Sequence, residues 1–272
     1  MISDLLSNPQ FWTIVISVAA LFLSQLPPIR QMIKGKKLRL ATARRVQLFH
    51  VFGNTNMNLW LDLENVGGRD ITVRKIQCIL VQREGFRHAL LAESYWLTES
   101  LGRERALELP LSEIPLRPNE RWSGYLHFFD ANSLTKEIQA RQKNAIIGIK
   151  DDIEKKLRTQ QLVPTSAPSL VEAEPSLVQE TVDIIRTIRK LQLGDYEMFL
   201  VVYEDTNNTT IGLLGFDLTL FEKDIREIFE DVLDYKYGFG IYLPPRRPVN
   251  VWIEIRSKDK EESQKRFNTL RI

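Results

Sequence analysis

Residues Phe11 to Leu26 (FWTIVISVAALFLSQL) carry no ionisable side chain. A helix that is apolar on every side has to be covered by something other than water. Asn8-Pro9 ahead of the run reads as a cap with proline in the first turn, and Pro27-Pro28 behind it marks the predicted end. From Pro9 to Leu26 is about 18 residues, roughly 27 Å of helix at 1.5 Å per residue and close to the hydrocarbon thickness of a bilayer. The expectation is an N-terminal transmembrane anchor over 1–28, its lipid-facing set being Phe11, Trp12, Ile14, Val15, Ile16, Leu21, Phe22 and Leu23. A cleaved signal peptide needs basic residues before the apolar core and small residues at a cleavage site, and Leu-Ser-Gln-Leu-Pro-Pro offers neither. A buried or interfacial helix is the other alternative, because the run is at the short end for a span.

The flanks are unequal. Asp4 and the terminal amine are the only charges before the run, whereas Arg30, Lys34, Lys36, Lys37, Arg39, Arg44 and Arg45 follow it. Basic flanks stay on the cytoplasmic side, so the predicted topology is single-pass in the cell (inner) membrane, N-terminus outside and body inside. Residues 29–45 then form a basic juxtamembrane segment, with the lipid bilayer as a partner and each cation near the surface contributing roughly 1 kcal/mol. Cys78 is the sole cysteine, which excludes an intramolecular disulfide. A net charge of +2 gives no electrostatic basis for a nucleic-acid partner.

The body reads as β structure. Val46–Phe52 leads through Gly53-Asn54 to Met57–Leu63, where Met57, Leu59, Leu61 and Leu63 alternate with mostly polar neighbours, the period-two signature of a strand with one buried face. Glu64-Asn65-Val66-Gly67-Gly68 supplies turn chemistry before a strand at Ile71–Val81. Leu109–Leu111 and Ile114–Asn119 carry prolines and read as edge segments, and Arg121–Phe129 as a further strand. The run LWLDLENVGGRDITVRKIQCILV (59–81) resembles the early hairpin of an immunoglobulin-like or fibronectin-III-like β-sandwich. LPLSEIPLRPNERWSGYLHFF (109–129) and GDYEMFLVVYED (194–205) are similar to the later strands of that family. The resemblance implies an antiparallel sandwich and is nearly silent on function, because such sandwiches host many roles.

Between those later strands the pattern changes to a helical period. Leu134, Ile138, Ile146, Ile149, Ile153 and Leu157 form one stripe, and Leu177, Thr181, Ile184, Ile185, Ile188 and Leu191 a second, with Ser176 and Gln179 matching a capping box and Gly194 a stop. A third helix is predicted over Leu220–Tyr235, and a last strand over Val249–Ile255. The expected fold class is mainly β with an α insertion. Its divisions are the anchor 1–28, the basic segment 29–45, a sandwich 46–255 carrying a helical-hairpin insertion at 131–193, and a charged tail 256–272.

The candidates for chemistry are sparse. His50, His88, His127 and Cys78 lie on separate predicted segments and lack metal-ligand spacing. Cys78 in an apolar strand reads as a core thiol. No catalytic, metal or cofactor residues are assigned. Gly238–Pro248 sets glycines beside aromatics and a Pro-Arg stretch, so Phe239, Tyr242, Arg246 and Arg247 are candidate partner-binding residues; a rigid connector is the blander reading. The functional expectation is a non-enzymatic, membrane-anchored interaction or sensor module on the cytoplasmic side. It would engage a protein partner or self-associate through the helical insertion. The alternatives are a tethered hydrolase or nuclease built on acids such as Glu204, Asp217 and Glu254, or a bilayer-acting component of the kind found in some bacterial defence systems.

Overall fold

A computed structural model describes residues 9–82, 86–96, 107–130, 135–161, 170–204, 209–246 and 250–270. Helix α1 (Pro9–Ile33) leads into β1 (Leu38–Thr42), β2 (Arg45–Val51), β3 (Asn54–Asn65), β4 (Ile71–Val73), β5 (Lys75–Gln82) and β6 (Arg87–Trp96). Then come β7 (Glu108–Pro110), β8 (Ile114–Leu116), β9 (Arg121–Phe129), α2 (Lys136–Gln161), α3 (Pro175–Ile188), β10 (Gly194–Tyr203) and β11 (Thr210–Leu220). The chain ends with α4 (Glu222–Ile228), a 3-10 helix (Glu230–Tyr237), β12 (Val251–Glu254), β13 (Arg256–Ser257) and α5 (Lys260–Thr269).

The strands do not divide into the two facing sheets of a sandwich. One sheet of 11 strands runs in the order β12-β2-β3-β9-β6-β5-β10-β11-β13, with β1 also on β3 and β7 on β6. Its two ends come together because consecutive residues serve both: Val251–Glu254 pair with β2, and Arg256–Ser257 pair with Phe216 and Asp217 of β11. The result is a nearly closed barrel, and the immunoglobulin-like expectation is corrected accordingly. Inward-facing Leu48, Leu59, Leu61, Met198, Leu200 and Leu218 belong to one continuous core.

The predicted hairpin over 59–81 fails for a local reason. Asn65 is fully buried and ties up a crossing loop: its Nδ2 donates to the carbonyls of Arg69 (2.8 Å) and Leu116 (2.9 Å), and its Oδ1 accepts from the Gly67 N–H (3.0 Å). The chain is thereby carried across one barrel end, so β5 pairs with β6 and β10 and not with β3. The β2–β3 connection is a true two-residue hairpin, with Phe52 (φ 50°) and Gly53 (φ 86°) both left-handed. Such a conformation is strained for a bulky side chain. Phe52 is held in it by burial and by stacking on Tyr235 at 5.9 Å.

The hairpin tip is the seat of the helical cap. Ala145, Ile146, Ile184, Ile185 and Ile188 pack with Phe52 and Tyr235, while Ile149 and Ile153 meet Leu177, Val178 and Ala173. Early α2 thus meets late α3 and late α2 meets early α3, so the two helices are antiparallel. Helix α3 begins on Pro175 with Glu174 as its N-cap and no side-chain cap bond; the expected Ser176–Gln179 box does not form, and Gln179 bonds Asp183 instead. The third predicted helix splits into α4 and the 3-10 helix. The segment expected as a charged tail is folded: Arg256–Ser257 join the sheet, and α5 buries Phe267 against Ile79, Phe199 and Val201 on the outside of the barrel.

Helix α1 corrects the membrane expectation. It runs straight through Pro27-Pro28 to Ile33, and among the described residues no helix is long and apolar enough to cross a membrane. Counted from its first apolar residue, the uncharged run Phe11–Leu26 rises only about 24 Å against roughly 30 Å of hydrocarbon. Thr13, Ser17, Ser24 and Gln25 dilute it further. The transmembrane anchor, single-pass topology and inner-membrane address are withdrawn on this finding.

Candidate functional site

Three places concentrate unusual side chains. The first is the capped barrel end. His50 Nδ1 accepts the Gly53 N–H at 2.9 Å, which leaves Nε2 to donate to Asp231 Oδ1 at 2.8 Å. The imidazole also stacks on Phe229 at 4.6 Å, whose ring lies 4.8 Å beneath the Arg189 guanidinium. Nearby, Asp130 Oδ2 is shared by His88 Nδ1 (3.3 Å) and Lys190 Nζ (2.9 Å). Burial holds the His88 imidazole down at about 4, outweighing the upward pull of Asp130, with Lys190 adding to the depression. His88 is therefore neutral near pH 7.

A histidine oriented by a carboxylate supplies two of the three members of a nucleophilic triad. Neither imidazole here meets a hydroxyl or thiol among the described residues, and both rings are buried. These pairs join the hairpin tip, the 3-10 helix and the 189–192 segment to the barrel. Cys78 lies wholly inside the core, 3.9 Å from Met57 Sδ, its thiol pushed far up by burial. Among the described residues no three His, Cys, Asp or Glu side chains are grouped to hold a metal.

The second place is the outer face of β12, β2, β3, β9 and β6. Adjacent residues on a strand alternate faces, so Trp252, Gln47, Phe49, Asn56, Asn58, Tyr125, His127 and Trp96 all point outward. Five of them form an unbroken line of rings: Trp252–Tyr125 at 6.4 Å, then Tyr125–Trp96, Trp96–His127 and His127–Phe49 at 5.7 Å each. Beneath Trp252 and Tyr125 lies a buried amide pair, in which Gln47 Oε1 accepts from Asn58 Nδ2 (2.7 Å) and from the Tyr125 hydroxyl (3.1 Å). Burial raises the Tyr125 phenol to about 12, so it remains a donor at neutral pH. His127 Nε2 reaches Asn56 Oδ1 at 3.0 Å. Only Trp252 is largely in solvent, at 53 % exposure.

The third is α1. Ile14 and Ile16 are both 64 % exposed although residues two positions apart on a helix point to nearly opposite sides, and Leu21 and Phe22 are exposed at 65 and 69 %. Trp12 and Val15 are exposed as well; the side chains of Phe11 and Leu23 lie outside the described residues. The hydroxyls of Thr13, Ser17 and Ser24 are satisfied inside the helix by carbonyls three or four residues back.

The remaining predicted residues separate. Of the basic segment, Lys36 pairs with Glu204, Arg39 with Glu64 (3.0 Å) and Arg45 with Glu254 (3.1 Å), so these cations dock on the barrel. Lys34, Lys37 and Arg44 are exposed, and the Arg30 side chain lies outside the described residues. Arg246 stacks over Phe239 (4.4 Å) and Tyr237 (5.1 Å), and Tyr242 packs with the α2–α3 cluster. Those two arginine–aromatic contacts are spent within the chain, as a rigid connector requires; Arg247 lies outside the described residues. Of the three scattered acids, Asp217 and Glu254 line one cleft, while Glu204 sits with Lys36 elsewhere. The ring line itself was legible only as separate aromatics, Trp96 lying on no predicted strand, because its assembly depends on which strands are neighbours. No protein-family model matches this chain, and neither a curated protein nor a solved structure is detectably similar to it.

Proposed function

We propose that this protein is a non-enzymatic interaction module that works as a self-assembled oligomer, joined through α1 and presenting the barrel as its recognition body. The observation that carries the reading is the exposure of Ile14, Ile16, Leu21 and Phe22 on different sides of one helix. A contiguous apolar surface of this kind marks an interaction site. Its own barrel covers none of those four side chains, so a partner has to.

A second copy fits that role best. Its α1 offers an equally uncharged surface over Phe11–Leu26, the internal bonding of Thr13, Ser17 and Ser24 leaves no hydroxyl in need of a partner, and Ala19-Ala20 permits close helix approach. Closed homo-oligomers are also the commonest assemblies. The histidine–carboxylate pairs support a scaffold role, since both imidazoles are buried and each pair is tied to the cap.

Sedimentation of the full chain tests this. An oligomer at micromolar concentration is expected, and the double substitution Ile14→Glu, Leu21→Glu should turn it into a monomer whose barrel unfolds at the unchanged denaturant midpoint. A monomeric wild-type chain would refute the proposal. So would flotation with lipid vesicles without self-association, which would place lipid and not a second copy on the helix.

A further inference from the structure

The barrel is closed by pairing at Asp217–Arg256 and Phe216–Ser257 but not above it, where β12 leaves β11 to join β2. The seam opens there into a cleft of about 310 Å³ on the outer surface. Leu218 and Ile253 floor it. Its rim carries two exposed aromatics, Phe221 (65 % exposed) and Trp252, together with Thr219 and Arg256. Three carboxylates, Asp217, Asp224 and Glu254, complete the lining.

We propose that this cleft binds a neutral saccharide, and that the line of rings beyond Trp252 extends the site for a longer chain. The charge pattern selects that ligand class. Each carboxylate already has a donor: Lys258 lies 3.0 Å from Asp217, Arg45 lies 3.1 Å from Glu254, and the Phe221 N–H donates to Asp224 at 2.9 Å. A cationic ligand gains little here, because Lys258 and Arg45 already offset two of the three charges and Arg256 stands on the same rim. A hydroxyl needs no net charge, and an ionised carboxylate keeps acceptor capacity on its two oxygens after one bond is made. Arg256 adds donors for ring and hydroxyl oxygens.

A pyranose has an apolar face and a polar rim, which matches a cleft of aromatic walls with a few convergent polar groups. Trp252 and Phe221 would take the apolar face, while Asp217, Glu254 and Arg256 would take the rim. Trp252 also stands at the head of the ring line, followed at 6.4 Å by Tyr125 and at a further 5.7 Å by Trp96. Units beyond the cleft therefore meet successive ring platforms, and affinity should grow with chain length. This site does not depend on α1 or on the oligomeric state.

Calorimetric titration with cellohexaose, maltohexaose, xylohexaose and chitohexaose, each beside its disaccharide, tests the assignment. At least one hexasaccharide should bind below millimolar Kd and at least tenfold more tightly than its disaccharide. Trp252→Ala should weaken it at least tenfold, Trp252→Phe should retain part of the binding, and Trp96→Ala should weaken the hexasaccharide while leaving the disaccharide unchanged. Phe221→Ala, at an exposed position outside the core, is the second cleft variant and should also lose affinity. No binding by any of the sugars at several millimolar, or wild-type affinity in both Trp252→Ala and Phe221→Ala, overturns the proposal. Tighter binding of an arginine-rich peptide than of any sugar overturns it too, by showing that the carboxylates outrank the rings.

Discussion

Substituting Gly53 by alanine separates the cost of its backbone from the cost of its neighbour. Gly53 has φ 86°, and an added Cβ would lie 3.0 Å from the Ile185 Cα, 3.2 Å from its Cγ2 and 3.3 Å from its carbonyl oxygen. Gly35 has φ 65° with nothing within 4 Å of the same position. Both substitutions place an L side chain in the left-handed region, at about 1–2 kcal/mol, and both stiffen the unfolded chain alike. Only Gly53→Ala also forces helix α3 away from the hairpin, because the nearest atom, the Ile185 Cα, is backbone and cannot rotate aside. Overpacking of this kind costs roughly 1–3 kcal/mol. Gly53→Ala should therefore destabilise the protein by about 2–5 kcal/mol and Gly35→Ala by about 1–2 kcal/mol.

Urea unfolding reads the difference as a lower midpoint at unchanged slope. Amide exchange should show where the loss falls, with protection reduced in α3 more than in β5 and β10. Equal midpoints for the two variants would refute the claim that the helical cap is seated on the hairpin tip.

Two further outcomes follow from the core and the capped end. Leu61→Asp places an unpaired carboxylate on a fully buried barrel position and should cost more than about 4 kcal/mol, seen as loss of cooperative unfolding. For His88 the folded-state value of about 4 lies below the unfolded value near 6.5, so the unfolded chain binds the extra proton between those pH values. Stability is then present above pH 6.5 and is lost as pH falls towards 4, by roughly 3 kcal/mol from this group. Denaturant titrations at both pH values should show a smaller acid loss in His88→Asn than in wild type; an identical loss would remove His88 as the cause.

Strand identity was legible wherever one face of a segment meets water. Met57, Leu59, Leu61 and Leu63 alternate with Asn58, Trp60, Asp62 and Glu64 on the other face, where Asp62 and Glu64 are partly in solvent although Asn58 is buried. The same rule failed at β11, where Leu213 packs under α5 while Phe216 and Leu218 fill the interior, so both faces read apolar. It failed at β6 as well, whose ladder to β9 shifts register between Ala92 and Ser94 and breaks the alternation. The insertion helices were legible from their stripes. The end of α1 was not, because Pro27 and Pro28 read as a stop although the helix continues through them.

Local chemistry in the chain thus determined most of the strands, the two insertion helices, the lone buried thiol and the uncharged character of Phe11–Leu26. Tertiary structure alone decided that eleven of the strands form one curled sheet, with β4 and β8 paired apart from it, and that Trp252, Tyr125, Trp96, His127 and Phe49 form a single line. It also decided which acids share a cleft. The reason is that periodicity records which face of a segment is buried, whereas strand order depends on long-range pairing, and here a handful of polar contacts set it: the Asn65 amide carries the chain across one end, and Val251–Ser257 hydrogen-bonds to both edges of the sheet.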